Sequence, residues 1–509
     1  MVSRFDMLRS KPIDGELLKL RDEILQYALD FGLDFYPVVF EVCDYDTINI
    51  LAAQGGFPSR YPHWRFGMEY DQLSKGYAYG VQKIYEMVIN TDPVYAYLLK
   101  ANNIVDQKLV MSHVYGHADF FKHNAWFKTT DRSMMDVMAN HGSKIRRYME
   151  KYGQDEVETF IDKVLSLENL LDTNVLFESP EKARLRLERL SEAQKEEAEY
   201  DEHEGKSQAL RSYMRSALRH SDSEVGPKLS GSDDFDTMAP PAHIGRRDIM
   251  LYLMEYAPLK EWQADVLGIL REEAYYFLPQ RMTKIMNEGW ASYWHSKIMT
   301  TKALRSSEVI EFADKHAGVM AMSPQQINPY KIGIELFRDI EYRWDTGRFG
   351  KEYLECSDMQ AKANWDRPTG MGREKIFEVR RSHNDITFID EFFTPEFCER
   401  QQLFTYNFNS RTGRYEIESR DFEAIKTKLL QSLTNFGQPM IEVAAGNYEN
   451  RGELLLNHIH QGVDLDTHYA ADTLKNIYEI WKRPVNLKTI SEDKEILYCF
   501  DGKELKIKD

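Results

Sequence analysis

QKLVMSHVYGHADFFKHNAWF, residues 107–127, is the stretch on which the reading of this chain turns. Val110, His113, Val114, His117 and Phe121 recur at three- and four-residue steps, so they share one face of a helix. That face is apolar, and both imidazoles point into it. Burying an imidazole costs free energy unless its ring nitrogens find partners. A pair of histidines at i and i+4 on one face is a geometry that binds a single metal ion. A core pair satisfied by hydrogen bonds is the plainer alternative.

A second stretch, TKIMNEGWASYWHSKIM at 283–299, bears on that choice. Glu288 and His295 are seven residues apart, within about 20° of each other around a helix. Met282, Met286, Tyr293 and Trp294 cover the other sides, so the helix is predicted to be buried nearly all round. A carboxylate on such a helix must be paired or ligated. The small residues Gly289, Ala291 and Ser292 allow a second helix or a substrate to come close. His113, His117 and Glu288 together form a two-imidazole, one-carboxylate set that leaves a coordination position open to water. Zinc is the expected ion, and iron is the alternative, because the same set suits non-haem iron. His295 is the first candidate for a catalytic acid or base, with a structural role as its alternative. Tyr115, Asp119 and His123 rank behind it, since Asp119 projects away from the His113 face and His123 lies on its flank.

Working outward, the 509 residues suggest two to three domains. Hydrophobic residues at 42% and charged residues at 29% belong to a globular chain rather than a disordered or membrane one. The balance of 65 basic against 82 acidic residues, a formal charge of −17, argues against a nucleic-acid partner. Cys43, Cys356, Cys398 and Cys499 form no CxxC pair and read as reduced, mostly buried thiols. No segment approaches the roughly 18 consecutive apolar residues of a membrane span, and the amino terminus has no signal-peptide core, so a cytoplasmic protein is expected.

Along the chain, residues 1–190 read as a mainly helical region carrying HVYGH, interrupted at 54–70 by a loop rich in glycine, proline and aromatics. Residues 191–247 are charged and poor in large apolar residues, and read as a flexible insertion whose histidines, His203, His220 and His243, are solvated. Residues 248–375 are a second helical block that completes the same core. Residues 376–509 are expected to form a smaller α+β domain, with KIFEVRR, ITFID, LFTYNF, MIEVAAG and ELLLNHIH as short β-rich runs and a helix from Thr394 to Gln401. In the last of those runs Leu454, Leu456, His458 and His460 alternate on one strand face. A polar strand end is the simpler reading of the two histidines, and a second metal the other.

The arrangement resembles the gluzincin metallopeptidases, in which a two-histidine helix is followed by a later helix with a glutamate ligand in an NEG- or EG-type motif. Those enzymes carry HExxH, whereas this chain has Val114 where they have the glutamate that activates water. Over nearly its whole length, including VINTDPVYAYLLKANNIVDQ, KIMNEGWASYWHSKI and LLLNHIHQGVDLDTHYAADTLKNIYEIWKRPVNL, the chain resembles the stage V sporulation protein R (SpoVR) family. The resemblance implies a cytoplasmic protein linked to spore-cortex formation or stress physiology, with a serine protein kinase and a von Willebrand-type domain protein as expected partners in one pathway. Three functions follow as expectations: a zincin-like hydrolase acting on a peptide or amide bond, with cell-wall precursors or peptides as substrate; a non-catalytic scaffold with a structural metal or buried polar cluster; and a non-haem iron redox site.

Overall fold

A computed structural model describes residues 10–78, 86–174, 247–322, 327–492 and 494–508. The chain is mostly helical, with a sheet-containing carboxy-terminal part, and divides into two compact units. Met1–Gly142 with Pro279–Gly437 make the first, and Ser143–Leu278 with Gln438–Asp509 make the second. The insertion expected at 191–247, with its three histidines, lies outside the described residues apart from Arg247.

The first unit opens with a sheet that the periodicity of the chain did not predict. β1 (Lys11–Pro12), β2 (Val38–Cys43), β3 (Glu86–Ile89) and β4 (Val94–Leu99) form it in the order β1-β2-β4-β3. β2 runs parallel to β4, with Phe40 opposite Ala96. Parallel strands need a crossover, which here includes α2 (Tyr45–Ala53) and α3 (Trp64–Ala78), after α1 (Gly15–Asp30) has led into β2. The region expected to be mainly helical therefore also contains a four-stranded sheet. The reason is physical: a run such as VYAYLL, buried along nearly all of its length, shows no alternation, and short apolar runs of this kind do not separate strand from buried helix. The loop expected at 54–70 also ends early, because α3 begins at Trp64.

The core of this unit is built on three helices: α4 (Ile104–His123), α9 (Lys284–Ile298) and α11 (Pro329–Asp345). Between them in sequence come α5 (Met134–Tyr152), α6 (Gln154–Leu165), α7 (Ile249–Tyr256), α8 (Glu261–Met282) and α10 (Val309–Val319). Every residue of α9 from Ile285 to Ser296 is buried, as expected of a helix that is apolar on all sides. Two glycine notches let it sit so deep. A Cβ on Gly116 of α4 would lie 2.7 Å from the Cα of Ala291, and one on Gly289 would lie 2.4 Å from the backbone of Gly333 in α11. α9 starts without a side-chain cap of its own at Thr283. Instead the Asp385 carboxylate accepts from the Ile285 and Met286 amides at 2.8 and 2.9 Å, satisfying the exposed donors of the first turn from a hundred residues away.

After two short helices, α12 (Gly350–Leu354) and α13 (Met359–Ala363), the runs KIFEVRR and ITFID prove to be helical, forming α14 (Gly372–Ser382) and α15 (Asp385–Phe392). The expectation of strands there is corrected by the burial pattern. Ile376 with Val379 and Arg380, and Phe388 with Ile389 and Phe392, are buried at helical spacings. Asn384 also caps α15 by accepting from the Thr387 amide at 3.0 Å. α16 (Pro395–Arg400) begins as expected, with the Thr394 hydroxyl accepting from the Phe397 amide at 3.2 Å. The hairpin β5 (Thr405–Asn409) and β6 (Arg414–Ser419) and helix α17 (Phe422–Leu433) complete the unit.

In the second unit, β7 (Ile441–Tyr448), β8 (Glu453–His458), β9 (Val485–Ser491), β10 (Lys494–Phe500) and β11 (Leu505–Lys508) form a sheet in the order β11-β10-β9-β8-β7. β8 and β9 are parallel and are joined through α18 (Thr467–Trp481), which buries Leu474, Ile477, Ile480 and Trp481. All four cysteines are free, and Cys43, Cys398 and Cys499 are buried. Among the described residues no helix is long and apolar enough to cross a membrane.

Candidate metal centre

α4 owes its start to Asn103, whose side chain accepts from the Asp106 amide at 3.0 Å. One turn apart on its buried face, the rings of His113 and His117 meet edge to face, with centroids 4.5 Å apart. α9 crosses at the Gly116 notch and brings Glu288 against them. Glu288 Oε2 lies 3.5 Å from His113 Nε2 and 3.4 Å from His117 Nε2. Both approaches exceed ordinary hydrogen-bond lengths, and Oε2 is a buried oxygen without a hydrogen-bond partner. Bonds of about 2.05 Å to a tetrahedral ion place neighbouring ligand atoms about 3.35 Å apart, so the observed edges suit a zinc-sized ion. No other His, Cys, Asp or Glu among the described residues joins this cluster, in which the three ligand atoms lie within 4.8 Å of one another.

The outer nitrogens are held as well. Asn287 Oδ1 lies 2.8 Å from His117 Nδ1, so the imidazole donates there, and in the neutral ring that tautomer turns the lone pair of Nε2 toward Glu288. Burial lowers the His117 pKa, but Glu288 and Asn287 overcome it and raise it above the usual histidine value. His113 Nδ1 lies 2.9 Å from His295 Nδ1, and His295 Nε2 lies 3.1 Å from His316 Nδ1. A row of neutral rings satisfies all these contacts if His113 donates to His295 and His295 donates to His316. Burial, reinforced by His117, pushes His113 down to about 4, and burial with the neighbouring His113 holds His295 well below the usual histidine range. Burial works to raise Glu288, but the two imidazoles and Lys284 overcome it and hold the carboxyl well below the usual range. Lys284 Nζ meets Glu288 Oε1 at 3.0 Å, leaving Oε2 to the imidazoles.

A cavity of about 450 Å³ opens beside the cluster, with His113 and His295 in its wall. Leu109, Val110 and Pro329 give it apolar faces, and Glu86, Asp106 and Tyr330 give it polar ones. The Tyr330 ring stacks on His113 with centroids 6.1 Å apart. Burial, with Glu288 and Glu86 nearby, keeps its hydroxyl protonated far above the usual range.

The residues ranked behind His295 face elsewhere. Asp119 accepts from Trp290 Nε1 at 2.8 Å and pairs with Arg380 at 2.5 Å, His123 meets Asp34 at 3.0 Å, and Tyr115 stacks on Phe35. In the second unit His458 and His460 have separate partners, Thr489 Oγ1 at 2.8 Å and Asp464 at 2.9 Å. Asp464 is thus engaged by His460, and Asp466 is the residue that caps α18. Sequence reasoning missed Asn287, His316, Tyr330 and Glu86. Asn287 carried a signal, since it adjoins Glu288 in the NEG motif. The other three come to the site by tertiary folding alone.

The family model described as SpoVR like protein matches residues 14–438, and that of the SpoVR-like C-terminal domain matches residues 439–492. The chain belongs to the SpoVR family. A relative from Escherichia coli (strain K12), "Uncharacterized protein YcgB", is 30% identical over 502 residues, covering 93% of this chain and 92% of the relative. No solved structure matches the chain. The two SpoVR matches meet beside Gln438, where the chain re-enters the second unit, so the candidate metal centre falls wholly within the first match.

Proposed function

We propose that this SpoVR-family chain is a metal-dependent hydrolase of the zincin type, holding zinc with His113, His117 and Glu288 and acting on a peptide or amide bond. The observation that carries the reading is the buried Glu288 Oε2, which has no hydrogen-bond partner and stands 3.4 and 3.5 Å from two imidazole nitrogens beside a cavity. A buried carboxylate oxygen without a partner is costly, and an ion removes that cost. A zinc ion there supplies Lewis acidity, polarising a carbonyl and lowering the pKa of water.

The protein residues then have distinct tasks. Asn287 and His295 orient the two imidazoles through their outer nitrogens. His295, expected as the catalytic acid or base, has both ring nitrogens engaged by histidines, so in this reading it is a positioning residue for His113. Leu109, Val110 and Pro329 offer apolar contact to a substrate in the cavity. Peptides, including those of cell-wall precursors, are the proposed substrates.

One observation favours a second reading, a redox iron centre: Val114 is fully buried where a gluzincin carries its glutamate, while the two-imidazole, one-carboxylate set itself suits iron. Elemental analysis of tag-free protein beside a His113→Ala, His117→Ala double variant tests both. Near-stoichiometric zinc, absent from the double variant, is the expected result. Iron in its place selects the redox reading, and a folded wild type that binds neither zinc nor iron on addition overturns the ligand assignment.

A further inference from the structure

If the site hydrolyses an amide, something other than residue 114 must accept a proton from water, and the cavity wall supplies few candidates. His113 presents Nε2 to Glu288 and Nδ1 to His295, and His295 is engaged at both nitrogens. Tyr330 stays protonated and is a donor. Asp106 is tied to Lys315 at 2.5 Å, and Lys315 also holds Glu311 at 2.9 Å. The one other carboxylate in the wall belongs to Glu86, at the start of the edge strand β3, where it pairs in register with Leu98 of β4. It makes no hydrogen bond or ion pair with another described residue, and it stands outside the 4.8 Å cluster of the three ligand atoms. It therefore stands outside the ligand set while lining the cavity in which a substrate would lie.

We propose that Glu86 is the general base of this site, replacing from a strand the glutamate that HExxH enzymes carry on the histidine helix, and that Tyr330 on the same cavity wall donates a hydrogen bond to the substrate carbonyl oxygen. The proposal rests on the hydrolase reading above. In the reaction the Glu86 carboxylate takes a proton from water as the water oxygen bonds to the carbonyl carbon. The proton then passes to the amide nitrogen as the C–N bond breaks. Amide and water give a carboxylic acid and an amine, and Glu86 ends as it began. In the metal-free chain burial pushes the Glu86 carboxyl up to about 7, with His117 opposing and Glu288 assisting, and the positive charge of a bound ion would act to lower it and favour the carboxylate that accepts the proton.

The test compares wild type with Glu86→Gln, each loaded with cobalt(II) and titrated from acid to alkaline pH while the visible bands of the metal are followed. Cobalt content is expected to be equal in the two proteins, which also shows that the variant is folded. The spectral transition is expected to move by about one pH unit or more in Glu86→Gln, since a neighbouring carboxylate has become neutral. With zinc, on a panel of internally quenched peptides, kcat is expected to fall about 100-fold or more with KM unchanged. Superimposable titrations, or equal kcat values, overturn the role of Glu86 and leave the hydrolase reading standing. A wild type that binds neither metal brings down the hydrolase reading, and this proposal with it.

Discussion

The chain carries two close histidine pairs, one in each unit, and their surroundings are opposite. His458 and His460 lie at the end of β8 with ring centroids 5.7 Å apart, and each has a partner of its own. The ring centroids of His113 and His117 are 4.5 Å apart, their outer nitrogens are held, and their inner nitrogens converge on a buried carboxylate oxygen that lacks a hydrogen-bond partner. Two nearby imidazoles are therefore not the informative feature. What separates the pairs is whether the hydrogen-bond accounting closes. It closes in the carboxy-terminal pair, and in the helical pair it leaves one buried anion whose neighbours stand at the spacing of metal ligands.

The strongest way to break the helical pair without touching it is to push α9 outward. Gly289→Val would place side-chain atoms where a Cβ alone already sits 2.4 Å from Gly333 backbone, which cannot give way as a side chain can. A loss of about 4 kcal/mol or more in chemical denaturation is expected. A stability near wild type would mean that α9 and α11 do not cross at these glycines.

Asp385 offers a gentler lever on the same helix. Burial pushes its carboxyl up to about 7, against the pull of the Ile285 and Met286 amides. The folded-state pKa therefore lies above the unfolded value near 4. Between about pH 4 and pH 7 the folded chain holds a proton that the unfolded chain has released, so the contribution is full below pH 4 and is lost as pH rises to 7. The wild type should lose roughly 2–4 kcal/mol relative to Asp385→Asn across that window, read as the difference between their denaturation free energies at each pH. Parallel curves would show that Asp385 titrates normally.

These two levers also mark how far the sequence was readable. The i, i+4 histidines and the all-apolar surroundings of Glu288 announced two buried helices whose polar residues had to meet, because helical period and the cost of a buried charge are local properties. β4 escaped because its buried faces erase alternation, and β2 because VVFEVC is apolar at every position but Glu41. α14 and α15 escaped because seven- and five-residue windows hold too few turns to show a period. Asp385, Glu86 and Tyr330 reach α9 or its cavity only through chain folding, so no spacing along the chain signals them.

The pairs can be compared more finely through their second partners. Asn287→Ala removes the acceptor at His117 Nδ1 and frees the ring to turn or change tautomer. Metal affinity is expected to fall about 10- to 100-fold, measured by competition with a chromophoric chelator, while the fold is kept. An unchanged affinity would mean that His117 is not a ligand, since an imidazole that binds no ion has no need of a fixed Nε2 lone pair.

His458→Ala is the matching change in the other pair and should have the smallest effect. It deletes the contact with Thr489 Oγ1, a neutral hydrogen bond on a residue that burial holds below the usual histidine pKa range, so the side chain is uncharged at neutral pH and no charge pairing is lost with it. A cost of about 1 kcal/mol is expected in denaturation, with bound zinc unchanged. His460 keeps Asp464, and Asp464 keeps the Glu492 amide at 3.0 Å, so the turn after β8 has no reason to open. Loss of metal in His458→Ala with His113 and His117 intact would reverse the contrast, because it would make the satisfied pair the ligand and leave the Glu288 oxygen without an explanation.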